Sequence, residues 1–283
     1  MKTADYTRLT LLAAIWGASF IFMRVAAPAF GTVLTAEGRL LIAGLVLAAW
    51  FRFSGFDAQW RRHWKAYAAI GLVNLALPSL LYAFALTHIP ASVGAVLNST
   101  APMFGALLAA LFLGERLTLR KAVGCLAGIA GVALVVKPGA LTETPMFGYA
   151  AAACLAACFC YGYNGILMKR YAAVPSRGVA VGGQIAAALM LLPLAPFSPP
   201  TAAIGALEIS NLLALALLGN ALGFVMYFRL ISDVGATRAL TVTYLMPFFG
   251  LLWGMLFLGE SLPVSALAGG VLILAGTVLV TRG

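Results

Sequence analysis

Along the 283-residue chain, apolar residues gather into long runs separated by short stretches that carry charge, Gly or Pro. Reading the runs between these breaks predicts ten helical segments, near 8–27, 34–53, 66–87, 91–113, 119–137, 147–168, 178–197, 209–231, 236–258 and 264–281. About 20 mostly apolar residues in a helix cross a hydrocarbon core of ~30 Å. A helix also pairs its own backbone groups, which lipid demands because no water is present to satisfy them. The pattern therefore predicts an all-α integral membrane protein. The first segment follows a basic start, as a signal peptide would. Its apolar run exceeds the roughly 7–15 residues of a signal core, so an uncleaved first span is expected.

Composition strengthens this reading. Hydrophobic residues make up 63% of the chain and charged ones 9%, against about 45–50% and 25% in soluble domains. That excludes a soluble enzyme, a disordered chain and a secreted disulfide scaffold, and leaves no room for a sizeable extramembrane domain. The net charge of +10 speaks to orientation rather than to nucleic acid. With the N-terminus inside, 15 of the 18 basic residues fall in inner regions, and only Arg24, Arg39 and Lys137 fall outside. The positive-inside rule thus predicts cytoplasmic N- and C-termini in a multi-pass protein of the cell (inner) membrane. Cys125, Cys154, Cys158 and Cys160 lie within apolar runs without neighbouring His or carboxylate. They are read as packing residues rather than metal ligands, and neither a metal nor a cofactor is expected.

Shifting the sequence by 145 residues reveals an internal repeat. Trp16-Gly17 aligns with Tyr161-Gly162, and Met23-Arg24 with Met168-Lys169. From Tyr82 to Val135, 17 of 54 positions are identical to their mates, including Pro102/Pro247, Gly124/Gly269 and the pair Leu111–Glu115 and Leu256–Glu260. The chain divides into residues 1–138 and 146–283, five spans each. Five is odd, so the second copy enters the membrane from the opposite side, giving two inverted five-helix repeats. Such repeats mark many secondary transporters, with the substrate bound at the midplane between halves.

The Trp16-Gly-x-Ser19-Phe20 pattern, the paired Leu-Gly-Glu-x-Leu endings and the 5+5 layout resemble the drug/metabolite transporter superfamily of the EamA type. The resemblance extends over the whole chain, and the bacterial aromatic amino-acid exporters are the most similar branch. It implies a ten-helix exporter of amino acids or related metabolites.

Polar groups inside a bilayer are costly and usually face a cavity or a neighbouring helix. Pro102 and Pro247 sit within the fourth and ninth spans, each freeing the carbonyl four residues earlier, at Asn98 and Thr243. Ser99 and Tyr244 stand beside them. Asn74, Pro78, Ser79 and Tyr82 lie on the third span, with Asn74, Pro78 and Tyr82 spaced to share one face. Asn220 and Tyr227 lie on the eighth, Trp16 on the first, Tyr161, Tyr163 and Asn164 on the sixth, and Gln184 on the seventh. Amphipathic aromatics with scattered amides suit a neutral or zwitterionic solute with an apolar body. Pro78, Pro102 and Pro247 are candidate hinges. The alternative for each polar residue is hydrogen bonding between helices, and for the prolines, kinks that serve packing.

No carboxylate or His stands in mid-span. Glu37 and Arg39 begin the second span at its outer edge, and Glu115 and Glu260 mark span ends, where each reaches an interface or pairs locally. Proton-coupled carriers commonly use intramembrane acidic relays, so the scarcity favours uniport. The expected activity is export of an amino-acid-like small molecule by alternating access. A proton-coupled exporter of drugs or other metabolites is the nearest alternative, and a channel or lipid scramblase is a different class. No nucleophile elbow, metalloprotease motif or Walker loop is present, so no enzyme activity is expected. Gly124, Gly128 and Gly131 on the fifth span, and Gly269 and Gly276 on the tenth, permit close helix approach. They fit a homodimer seam or internal packing equally; a monomer suffices.

Overall fold

The computed structural model describes residues 3–136, 145–239 and 241–282, with the backbone alone at Ala236, Thr237 and Arg282. Lys2 and Lys137 of the orientation count, and the junction expected between the two repeats, lie outside the described residues. All secondary-structure elements among the described residues are helices: α1 (Thr3–Phe53), α2 (Trp60–His88), α3 (Ala91–Leu113), α4 (Leu119–Val135), α5 (Met146–Arg170), α6 (Ser176–Phe197), α7 (Ala206–Val234), α8 (Val242–Leu258) and α9 (Val264–Arg282). A helical turn, Ala236–Ala239, precedes α8. Seven of these helices are long and apolar enough to cross a membrane, and α8 is a shorter apolar helix.

Helix α1 has 51 residues, far too long for one crossing of a ~30 Å core. Gly31 interrupts it with φ 78 and ψ 170, backbone that only glycine adopts readily. The break is where the sequence separates the first two apolar runs. Its loosened carbonyls find partners: Thr201 Oγ1 donates to Pro28 O at 2.7 Å, Thr201 N donates to Ala29 O at 2.9 Å, and Thr35 Oγ1 donates to Gly31 O at 2.7 Å.

Helices α2 and α7 each contain a widened π-helical segment, Gly71–Ala76 and Leu215–Leu222. The two coincide under the 145-residue shift. Helices α3 and α8 both end on a glycine in the left-handed region, Gly114 at φ 67 and Gly259 at φ 62, a conformation that closes off helix carbonyls. Glu115 N then reaches Ala109 O at 3.3 Å and Glu260 N reaches Gly254 O at 3.1 Å.

Close packing is also reciprocal. A Cβ on Gly17 would meet Phe249 Cβ at 2.7 Å, and a Cβ on Gly162 would meet Gly105 N at 2.7 Å and Phe104 Cβ at 3.0 Å. Gly17/Gly162, Phe104/Phe249 and Gly105/Gly250 are all repeat mates. Helices α4 and α9 cross with Gly124 against Gly276 and Gly131 against Gly269. Rising numbers on one helix meet falling numbers on the other, so the two run antiparallel. The glycine stripes therefore form an internal seam. Large apolar side chains cover the outside, among them Leu111, Phe112, Leu119 and Phe257, the surface expected to face lipid.

Candidate functional site

Two aromatic pairs join helices from opposite halves of the chain. Trp16 on α1 packs against Tyr227 on α7, with ring centroids 5.2 Å apart. Tyr161 on α5 stacks on Tyr82 of α2 at 6.4 Å. Trp16 and Tyr161 are mates under the 145-residue shift, as are Tyr82 and Tyr227. The same contact is thus made twice, with the halves exchanging roles.

The polar groups around these rings are well ordered by hydrogen bonds. Trp16 Nε1 donates to Gly219 O at 3.0 Å, a carbonyl within the π segment of α7. Tyr82 Oη donates to Asn98 Oδ1 at 2.8 Å and lies 3.5 Å from Cys158 Sγ. The Cys158 thiol donates to Leu97 O at 3.4 Å and approaches Asn98 O at 3.8 Å. Asn98 O is the carbonyl that Pro102 frees. The helix breaks there, at Ser99-Thr100, and resumes at Ala101, so Pro102 opens a helical stretch rather than kinking one. Pro247, its mate, is enclosed within the continuous helix α8. The helical turn before α8 stops several residues ahead of it, so the two halves are not broken at equivalent points.

A second polar chain joins α1, α7 and α6. Arg39 Nη2 donates to Asn220 Oδ1 at 2.5 Å, and Asn220 Nδ2 donates to Gln184 Oε1 at 3.0 Å. Gln184 and Asn220 are buried, with 0% and 2% exposure. Arg39 Nε, Gln184 Nε2 and Asn164 Oδ1 are buried without a hydrogen-bond partner among the described residues. Buried polar atoms are usually satisfied; of these three, Arg39 and Gln184 are joined through Asn220.

Arg39 is the residue that sequence reasoning misplaced. It is not a group at the outer edge reaching an interface; its guanidinium turns inward to Asn220 and is an electrostatic neighbour of Tyr161. The signal was there: Arg39 was one of three bases on the wrong side of the charge bias.

Of the other expected site residues, Ser99 bonds within its own helix, its Oγ donating to Ala95 O at 3.5 Å, while its carbonyl accepts from Thr277 Oγ1 at 2.6 Å. Asn74 is half-buried in the π segment of α2, and Pro78 and Ser79 are buried one turn later. Tyr163 packs edge-on against Phe112, away from the central rings. Tyr244 pairs its hydroxyl with that of Thr281 on α9, also away from them. Thr243 is half-buried near the start of α8. Among the expected residues, Tyr82, Asn98 and Tyr161 make one contacting group, Trp16 and Tyr227 a second, and Gln184 and Asn220 a third.

The sequence pattern of the EamA-like transporter family matches residues 8–137 and residues 147–282. The chain belongs to the EamA-like transporter family. A probable terminal-alkyne amino-acid exporter of Streptantibioticus cattleyicolor is 29% identical, over 97% of this chain and 92% of the relative. The uncharacterized transporter YvbV of Bacillus subtilis is 26% identical over 99% of this chain and 93% of its own length. YedA, an uncharacterized inner membrane transporter of Escherichia coli, is 28% identical over 95% and 88%. A solved crystal structure 20% identical shares the fold at a TM-score of 0.68, over 100% of this chain and 98% of its own. This EamA-like transporter is thus a multi-pass membrane protein that handles a small-molecule substrate, as its family does.

Proposed function

We propose that this protein is a secondary transporter that exports aromatic or neutral amino acids and related metabolites by alternating access, working as a uniporter. The observation that carries the reading is the exchange symmetry at the centre: Trp16 on Tyr227 and Tyr161 on Tyr82. Two equivalent aromatic walls around buried amides suit an apolar body with a polar head, and symmetric halves can swap which side opens. The amino-acid exporter among its relatives supports the substrate class and the direction.

The proposed architecture is ten spans in two inverted repeats, residues 1–138 and 146–283. The break at Gly31 supports two spans within α1, and the antiparallel pairing of the mates α4 and α9 supports the inversion. Cytoplasmic termini are supported by the basic bias and by exposed Trp50, Trp60 and Trp64 beside Arg52, Arg61, Arg62 and Lys65, an interfacial aromatic and basic band. We take Pro78, Pro102 and Pro247 as hinges. The π segments near the site add local give, since such segments cluster at functional places. The scarcity of carboxylates within the predicted spans supports uniport; a monomer suffices.

Counterflow in proteoliposomes tests the reading. Preloaded unlabelled L-phenylalanine is expected to drive saturable uptake of labelled L-phenylalanine. Unsaturable flux would instead indicate a pore, and uptake driven by a pH gradient alone would overturn uniport.

A further inference from the structure

Arg39 carries a permanent positive charge deep in a bundle that faces lipid on its outside. It is half-buried, and its guanidinium turns inward to Asn220 on α7. None of the four ion pairs among the described residues includes it. Glu37 is two positions away on the same helix, and residues so spaced do not face each other. Its electrostatic neighbour is the Tyr161 phenol, and its hydrogen-bond partner is the neutral Asn220 amide. A buried charge without a counter-charge is costly, and such a residue persists where an anion joins it.

The free atoms say which anion. Arg39 Nε and Gln184 Nε2 are both donors, both buried and both without partners. Asn220 connects the two side chains, accepting from Arg39 and donating to Gln184. The Arg39–Asn220–Gln184 chain therefore carries two surplus donors, both next to its permanent charge. The guanidinium fork matches a carboxylate in a bidentate manner. Bracing Asn220 alone would need one N–H of five and no charge. The Tyr161 ring, stacked on Tyr82, supplies an apolar wall next to the charge.

We infer that Arg39 anchors the carboxylate of the transported solute, with Gln184 Nε2 as a second donor. The inference rests on the transport reading above and names the group the site recognises. The amide of the same solute, which lacks the carboxylate charge, meets the same wall but leaves the guanidinium without its counter-charge.

The full-length protein in detergent provides the test, by thermal unfolding with matched acids and amides: L-phenylalanine and L-phenylalaninamide, 3-phenylpropionate and 3-phenylpropionamide. Wild type is expected to be stabilised by the acids at concentrations about 10- to 100-fold below those needed for the amides. Arg39→Gln is expected to abolish that preference, and Arg39→Lys, which keeps the charge and loses the fork, to retain part of it. Equal response of wild type to acids and amides, or to chloride as strongly as to the acids, would overturn the inference. So would an acid preference that survives intact in Arg39→Gln. If Arg39→Gln fails to fold, the wild-type comparison and the Arg39→Lys variant still decide. Acid preference without L-phenylalanine counterflow would reject the amino-acid reading and leave the anchor standing.

Discussion

Glu260, just beyond the end of α8, caps Ser92 at the start of α3. Its carboxylate accepts from Ser92 N at 2.9 Å and Ser92 Oγ at 2.5 Å, and from Ala91 N at 2.7 Å. The first N–H groups of a helix have no partner within it, and a negative charge there is favoured by the helix dipole. Here the cap comes from 168 residues away in sequence, so one acidic side chain ties two distant elements together. Glu260→Ala strands donors in a part-buried place and is expected to cost about 1–3 kcal/mol. Gly254 leaves the space: a Cβ there would lie 2.6 Å from Glu260 Oε2. Gly254→Ala should therefore lower the melting temperature by displacing the same carboxylate. The double variant should be little worse than either single one, as coupled neighbours are; additive losses would refute the shared mechanism.

The seam between α4 and α9 leads to a contrast among glycines. A Cβ at Gly124 would sit 2.6 Å from Gly276 O, and one at Gly131 2.7 Å from Gly269 O. Backbone cannot give way as a side-chain tip can, so Gly124→Ala and Gly131→Ala should each destabilise by about 1–3 kcal/mol through overpacking. Gly148 and Gly165 have nothing within 4 Å of the same position. Alanine there should be neutral or, by helix propensity, stabilising by up to about 1 kcal/mol. Thermal unfolding of the four variants in one detergent compares them directly.

At the centre, Tyr82→Phe removes the donor to Asn98 Oδ1 while keeping the ring that stacks on Tyr161. The expected result is a several-fold fall in counterflow rate with apolar packing intact, and a larger fall for Tyr82→Ala. Tyr244→Ala should be the mildest of the tyrosine changes for transport, because its hydroxyl is engaged with Thr281. Equal losses at Tyr82 and Tyr244 would mean that the site extends to the start of α8.

These differences show what the sequence could and could not reveal. Helix positions were legible because lipid imposes a minimum apolar length, and the Gly31 break coincides with a gap between runs. Trp16, Tyr161, Tyr82 and Tyr227 were legible as mates because duplication preserves register. The direction in which a side chain leaves its helix was not: Tyr163 and Tyr244 turn away from the centre while Arg39 turns toward it. The π segments were also invisible, since their widened turns follow from packing between helices and no residue pattern announces them.

Glu115, the mate of Glu260, is instead exposed and paired with Lys169, whose Nζ donates to Glu115 Oε1 at 2.6 Å. This partner holds the Glu115 carboxyl below its ordinary value of 4.5. A depressed carboxyl stabilises the fold above its unfolded-state value, and the contribution is lost as pH falls through the depressed one. Glu115→Gln should therefore be slightly less stable than wild type near neutral pH, with the difference vanishing in acid below the ordinary carboxylate range. Both groups are well exposed, so the effect should not exceed a few tenths of a kcal/mol and should shrink in high salt. Melting temperatures of the two proteins across pH, at low and high salt, provide the check.

The proposed orientation has a direct consequence for side-specific labelling. Ser54 follows α1 within the stretch bearing Arg52, Arg61, Arg62 and Lys65, whereas Ala203 lies between α6 and α7, near the residues that contact the Gly31 break. Both positions are exposed. Native Cys125, Cys154 and Cys158 are buried and Cys160 is only partly exposed, so the background from native thiols should be low. With cytoplasmic termini, Ala203→Cys should react with a membrane-impermeant maleimide on intact bacterial cells, and Ser54→Cys only in everted vesicles. Inner loops hold the bases because the charge bias governs how spans insert. The reverse pattern would mean that the bias has been overridden. Labelling of both positions from one side would require an even number of crossings between them and would contradict the odd number in the ten-span arrangement.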